Sequence, residues 1–241
     1  MNITKDTVIG ELVAKDYRTA SVFKKNGIDF CCNGNRTIGE ACQKKNISSD
    51  QLVSTLTDVS TQESESGIDF NSWPLDLLAD YIEKKHHRYV EAKIQEITPF
   101  LKKVARVHGD RHPELIQVEQ LFHESAAELT AHMQKEEMIL FPYIRQMVQA
   151  RQSNTSVHAP FGTVQNPIRM MMHEHDTEGE RFRKISQLTA NYAPPQDACN
   201  TYRVTFSLLK EYEEDLHLHI HLENNILFPK SIALEEQFAT A

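Results

Sequence analysis

Two eleven-residue stretches of this chain carry one pattern, H-x-x-x-E-x-x-I-L-F-P: His132 to Pro142 and His219 to Pro229. A histidine and a glutamate four positions apart stand one above the other on an α-helix, so each copy aims an imidazole and a carboxylate at the same point. A fold that accommodates both copies sets two such helices side by side, with the paired groups facing inward. The surrounding sequence supplies the rest of that arrangement. Four long segments of helical periodicity, expected near 74–108, 113–151, 166–191 and 196–224, are divided by Gly109-Asp110 with Pro113, by Pro160-Phe161-Gly162 and by Pro194-Pro195. Such lengths, joined by modest loops, predict an antiparallel up-down four-helix bundle.

The apolar stripes can be followed along each segment. In the first, Val90, Ile94, Ile97, Leu101 and Val104 step by three and four, and one more step back reaches His87. Val118, Phe122, Ser125, Leu129, His132, Glu136 and Ile139 follow the same spacing in the second. Ile168, Met171, His175, Glu178, Phe182, Ile185 and Thr189 do so in the third, and Leu209, Tyr212, Leu216, His219, Glu223 and Ile226 in the fourth. Every long helix therefore places a histidine among its core positions.

Composition narrows the class. A chain of 241 residues has room for a large and a small domain, and 40% hydrophobic with 25% charged residues excludes a disordered chain. Eight glycines and nine prolines, without evenly spaced alternating strands, speak against an all-β fold. No window approaches the ~18 apolar residues of a membrane span, and MNITKDTVIGELVAKD lacks a basic and then apolar leader. A cytoplasmic protein without a membrane partner is expected. The net charge is −8 and no basic cluster stands out, so nucleic acid is not an expected partner. Four cysteines do not make a disulfide framework in a chain this size, and the thiols are expected to be reduced.

Residues 1–58 read as a small helical domain built from Val8 to Lys15, Ala20 to Lys25, Ile38 to Lys45 and a helix from Ser49 through Leu56, with Gly27 as a helix stop. Residues 59–72, rich in Ser, Thr, Glu and Gly, read as a linker, and 73–241 as the bundle.

Adding the single stripe histidines His87 and His175 to the pairs His132/Glu136 and His219/Glu223 gives four imidazoles and two carboxylates. That is a nitrogen and oxygen set for two transition metals bridged by the carboxylates, with iron the natural choice and positions left open for water, oxygen or nitric oxide. A single histidine on an apolar stripe is usually a core residue with a local hydrogen-bond partner, and a buried His–Glu pair can be purely structural. Six such groups converging without a metal would leave several charges uncompensated, so the metal reading prevails. Glu83-Lys-Lys-His86 and Glu214-Asp-Leu-His217 match an E-x-x-H spacing, but their histidines fall off the stripes by ~100° and ~200° of helix rotation. Glu83 lies one turn before His87 and is expected to approach the site from outside. His173 and His221 read as outer or surface groups.

The second feature is the adjacent pair in Asp29-Phe30-Cys31-Cys32-Asn33-Gly34. Neighbouring thiols do not make a closed four-ligand zinc site or an unstrained disulfide, which leaves redox chemistry or contact with a soft metal. Cys42 and Cys199 read as small core residues.

These residues resemble the Repair of Iron Centers proteins, the ScdA/YtfE/DnrN group. Thr7-Val-Ile-Gly-Glu11 and Gly27-Ile-Asp-Phe-Cys31-Cys32-Asn-Gly34 are similar to that family's small cysteine-bearing domain, and residues from about 73 resemble its hemerythrin-like bundle. By this resemblance His87, His132, Glu136, His175, His219 and Glu223 are the ligands of a non-haem di-iron centre. It also implies a cytoplasmic homodimer that restores iron–sulfur clusters damaged by nitric oxide or oxidants, with the damaged iron–sulfur proteins as partners. Cys31 and Cys32 would then serve as a redox or iron relay. The ligand set equally accommodates a nitric oxide reductase, or a sensor binding nitric oxide or oxygen.

Overall fold

A computed structural model describes residues 2–61 and 68–239. The fold is all-α: among the described residues the only β pairing is an isolated antiparallel bridge between Val8 and Thr37. The chain divides into two compact units, one of residues up to Leu78 together with those from Ile220 onward, the other Ala79–His219.

The first unit contains α1 (Ile9–Lys15), α2 (Thr19–Lys25), α3 (Ile38–Lys45) and α4 (Ser49–Thr61). Their buried faces carry Ile9, Leu12, Val13, Phe23, Ile38, Leu52 and Leu56, each worth roughly 1.5–3 kcal/mol when fully removed from water. Thr37 starts α3 with a reciprocal cap, its hydroxyl accepting from Glu40 N while the Glu40 carboxylate accepts from Thr37 N. Gly27 adopts φ +63° just after α2, as a helix stop requires. The fourth helix runs to Thr61, past the expected end at Leu56. Thr57 and Thr61 donate their hydroxyls back to Val53 O and Asp58 O, so these polar side chains are satisfied on helical backbone. Of the expected linker 59–72, residues 62–67 lie outside the described residues; Phe70–Ser72 forms a single 3₁₀ turn with the Phe70 ring buried. The C-terminal helix segments, described below, complete this unit.

The long helices follow. α5 (Leu75–Tyr81) passes through a π turn (Ile82–His87) into α6 (Arg88–His108), and α7 (Glu114–Lys135) passes through a second (Glu136–Leu140) into α8 (Phe141–Ser153). After α9 (Gln165–Leu188), α10 (Asn200–Leu222) passes through a third π turn (Glu223–Leu227) into α11 (Phe228–Ala239). The last helix therefore continues well beyond the expected end at 224. Pro142 and Pro229 have no N–H to offer the carbonyl four residues back, and a π turn precedes each of them in place of a helix end. The first π turn has no proline, and nothing in its sequence announces it. α9 stops at Leu188, three residues short of expectation, because Ala190, Asn191 and Tyr192 all take left-handed backbone, φ 49°, 58° and 61°.

Within the second unit α6 packs on α7 and α7 on α9. Tyr212 of α10 closes the core, its ring 5.5 Å from Phe122 and stacked 5.4 Å from Phe182. The stripe residues Val90, Ile97, Leu101, Val118, Leu129, Ile168, Ile185, Leu209 and Leu216 are buried around it, as a four-helix bundle requires.

Candidate metal centre

Five of the six sequence-predicted ligands lie in the second unit. His87 ends the first π turn, His132 is in the last turn of α7, Glu136 opens the second π turn, His175 is mid-way along α9 and His219 is near the end of α10. Each is no more than 2% exposed. Glu136 is the common member: one ligand atom each from His87, Glu136 and His219 lie within 4.8 Å of one another, and so do those from His132, Glu136 and His175. Its Oε2 stands 3.4 Å from His87 Nε2 and 3.3 Å from His132 Nε2, while His132 Nε2 and His175 Nε2 are 3.0 Å apart.

The outer nitrogens fix the rings. His132 Nδ1 donates to Glu174 Oε2 at 2.8 Å, and His87 Nδ1 to Glu137 Oε1 at 2.9 Å. A carboxylate on Nδ1 holds the proton there and turns the Nε2 lone pair inward, the arrangement that supports metal-binding histidines. Glu174 is braced further by Lys135, and Glu137 by Arg88, whose Nη2 donates to it at 2.9 Å. The His132 hydrogen bond, with help from Lys135 and against partial burial, holds the Glu174 carboxyl down at about 2. Two nitrogens on one ion, with bonds of ~2.1 Å at right angles, stand ~3 Å apart, which the His132–His175 pair matches. The donor set and its spacing thus fit a transition-metal centre.

Glu223, the sixth predicted ligand, is completely buried at the start of the third π turn, one turn beyond His219. Around it in the first unit, Asn224 and Asn225 donate to the Cys31 carbonyl at 3.3 and 3.4 Å. A β-carbon on Gly10 or Gly34 would collide with the Asn225 side chain, so both positions demand glycine for close approach. Cys31 is buried and Cys32 half-buried beside it, and neither is in a disulfide.

Several expectations need correction. His86, expected off the stripe, is nonetheless buried: the π turn shifts the helix phase, and the ring stacks 5.6 Å from His219 with Nδ1 3.0 Å from Asp215. The same effect at the second π turn leaves Ile139 49% exposed and brings Leu140 and Phe141 inward. Glu83 does not approach the centre; its Oε2 accepts from Arg145, which also binds Asp80. His221 is buried against Tyr17 and Phe30, accepting from Asn225, and burial alone pulls its pKa down to about 3. His173 is exposed, as expected of a surface group. Of the two cysteines expected in the core, Cys42 is buried and Cys199 is exposed, with its sulfur 3.2 Å from His108 Nε2.

Sequence reasoning missed Glu137, Glu174 and Asp215, the carboxylates behind the histidines. Glu137 and Glu174 are chain neighbours of Glu136 and His175, and that adjacency was the only available signal. A cavity of about 210 Å³ between α7 and α9 opens onto His132 and His175 and is also lined by Glu128, Lys135, Glu174 and Glu178, with room for a few waters or a diatomic ligand.

Inward imidazoles around a shared buried carboxylate, on four helices, agree with what comparison with known proteins returns. Residues 79–231 match the hemerythrin HHE cation-binding domain, and residues 5–60 match a domain of unknown function, DUF542, described as ScdA_N. The chain belongs to the ScdA/YtfE family of hemerythrin-type proteins. It is 36% identical over 95% of its length to the iron–sulfur cluster repair protein YtfE of Pectobacterium atrosepticum, covering 97% of that protein. The YtfE protein of Yersinia pseudotuberculosis is 35% identical, with 93% of this chain and 96% of the relative covered. The iron–sulfur cluster repair protein ScdA of Staphylococcus haemolyticus is 30% identical, with 95% and 99% covered. Family membership thus spans both the cysteine-bearing N-terminal region and the bundle.

Proposed function

We propose that this protein repairs iron–sulfur clusters damaged by nitric oxide or oxidants, and that it does so by donating iron from a di-iron centre. The supporting observation is the position of Glu136, one buried carboxylate within reach of two separate imidazole groups. On this reading the imidazoles of His87, His132, His175 and His219 and the carboxylates of Glu136 and Glu223, the partners in the two H-x-x-x-E pairs, would hold the irons. Only a carboxylate in this set has two oxygens to share.

When bound, the iron pair supplies exchangeable ferrous ions and one-electron redox capacity. The chain's part is to hold and release them. Glu137 and Glu174 keep the Nδ1 protons of His87 and His132 in place, so that both rings present neutral Nε2 donors. Imidazole and carboxylate ligands bind ferrous iron less tightly than thiolates and are displaced by protons, which suits a donor. Cys31 and Cys32 act in this scheme as a relay for soft ferrous iron or electrons. Among the described residues no helix is long and apolar enough to cross a membrane. The resemblance to the Repair of Iron Centers proteins is what supports a cytoplasmic homodimer in this reading.

Anaerobically purified, iron-loaded protein mixed with a nitric-oxide-damaged iron–sulfur enzyme is expected to restore that enzyme's activity while losing its own iron. Restoration without iron loss would remove the donor role. Sustained nitrous oxide production from nitric oxide would make the protein a reductase instead, and a stable nitrosyl adduct with no repair would make it a sensor.

A further inference from the structure

The loop between α2 and α3 holds a cluster of metal-ligating groups separate from the bundle's ligand set, and a cation held there would deepen the relay proposed for Cys31 and Cys32. One ligand atom each from Asp29, Cys31 and Cys32 lie within 4.8 Å of one another. The two sulfurs are 3.8 Å apart, and Cys31 Sγ is 3.4 Å from Asp29 Oδ1. A tetrahedral ion with metal–sulfur bonds of ~2.3 Å and a metal–oxygen bond of ~2.0 Å has sulfur–sulfur edges of ~3.8 Å and sulfur–oxygen edges of ~3.5 Å. The loop presents both edges.

We propose that Asp29, Cys31 and Cys32 form a second metal site, a three-ligand site for a thiophilic divalent cation such as zinc or ferrous iron. With three protein ligands, one of them the half-buried Cys32, it differs from a closed four-ligand structural zinc site. Binding exchanges two thiol protons for two sulfur–metal bonds and releases those protons to water, with no change of oxidation state.

The loop is organised before any ion arrives. Asp29 Oδ1 accepts from Cys31 N at 3.1 Å and Cys32 N at 3.0 Å, and Oδ2 accepts from Asn33 Nδ2 at 2.8 Å. From the other side Asn225 donates to the Phe30 and Cys31 carbonyls and Asn224 to the Cys31 carbonyl. Ligands so anchored lose little freedom on binding, which favours affinity. In the metal-free loop the Cys31 thiol is pushed well up, first by its hydrogen bond with Cys32, then by burial and by Asp29. Its proton occupies the line between sulfur and carboxylate that the cation takes over. The site stands independently of the proposed di-iron centre.

The test is anaerobic titration of the iron-loaded full chain with Co²⁺ alone. One equivalent is expected to raise a thiolate-to-cobalt charge-transfer band in the near ultraviolet, which histidine and carboxylate ligands do not produce. Cys31→Ser and Cys32→Ser should each abolish the band, and Asp29→Asn should weaken affinity at least tenfold. In the unaltered chain, Zn²⁺ should slow alkylation of Cys32 and leave alkylation of Cys199 unchanged. Absence of the band at one equivalent, its survival in the double serine variant, or unchanged alkylation of Cys32 with Zn²⁺ overturns the site. Iron content, measured on the same samples, reports separately on the bundle.

Discussion

The imidazole of His87 is held through its outer nitrogen by Glu137, 2.9 Å away, while its inner nitrogen faces the neighbouring carboxylate of Glu136 at 3.4 Å. Two consecutive residues thus meet opposite edges of one ring. Arg88 grips Glu137 from the far side and fixes that carboxylate in turn. Replacing Glu137 with Gln keeps the shape but loses the charge that polarises Nδ1–H. Metal affinity should fall roughly 10- to 100-fold, and iron per chain after dialysis against a chelator should drop with no loss of helical signal. Unchanged retention would show that Glu137 serves only Arg88.

Histidines 217, 219 and 221 occupy one helix within five positions and should behave differently. His219→Ala is expected to lose iron, and His217→Ala to keep it. His221→Ala should also retain iron, while emptying the space beside Tyr17 and Phe30 and lowering the stability of the N-terminal unit by about 2 kcal/mol. Iron analysis together with urea unfolding separates the three. Full iron in His219→Ala would remove that residue from the ligand set.

The bundle core contains a polar network distinct from the candidate ligands. Ser125 and Arg181 both donate to the buried Glu178, and Arg181 also reaches Glu128 at 2.8 Å. Burial raises the Glu178 pKa, while the two donors favour its charged form. Arg181→Met should cost roughly 3 kcal/mol by leaving that carboxylate buried without its cation, and a paired Glu178→Gln change should recover much of the loss. Equal denaturation midpoints for the single and double variants would argue against this account.

In the N-terminal unit, Arg18 binds Asp16 through two nitrogens, at 2.8 and 2.7 Å, and the hydrogen bond draws the Asp16 pKa below its ordinary value. A depressed carboxyl pKa contributes stability above the unfolded value, near 4, that disappears as pH falls through the folded one. Asp16→Asn should therefore cost about 1 kcal/mol at pH 7, since the pair is partly exposed, and much less at pH 3. A difference that persists in full at pH 3 would place the effect in packing.

The apolar stripes brought out His87, His132, Glu136, His175 and His219, all of them buried, because candidate ligands inside a bundle occupy the same inward positions as its core. The stripe fails where the helical period changes. Regular periodicity sets His86 ~100° off the stripe and Ile139 on it, whereas His86 is buried and Ile139 is exposed, since a π turn advances the phase by about one residue and only two of the three described turns have a proline to mark them. The carboxylates behind the rings were illegible for another reason: Glu174 meets His132 from a different helix, and the register between helices is not written in either one. Asp29 was legible only as a neighbour of the thiols. Its role as the organiser of their loop emerges from three hydrogen bonds within five residues.

Each H-x-x-x-E pair sits at the threshold of a π turn closed by Leu-Phe-Pro, and so the candidate ligands and the helical irregularity lie in one continuous segment. The extra residue rotates everything downstream of the glutamate, which decides which faces of α8 and α11 are apolar. Grafting the histidine and glutamate alone onto a regular helix would deliver the donors but leave the following turns facing the wrong way. The portable piece is the whole eleven-residue cassette, and an engineer who wishes to move this chemistry to another scaffold must carry the irregularity along with the ligands.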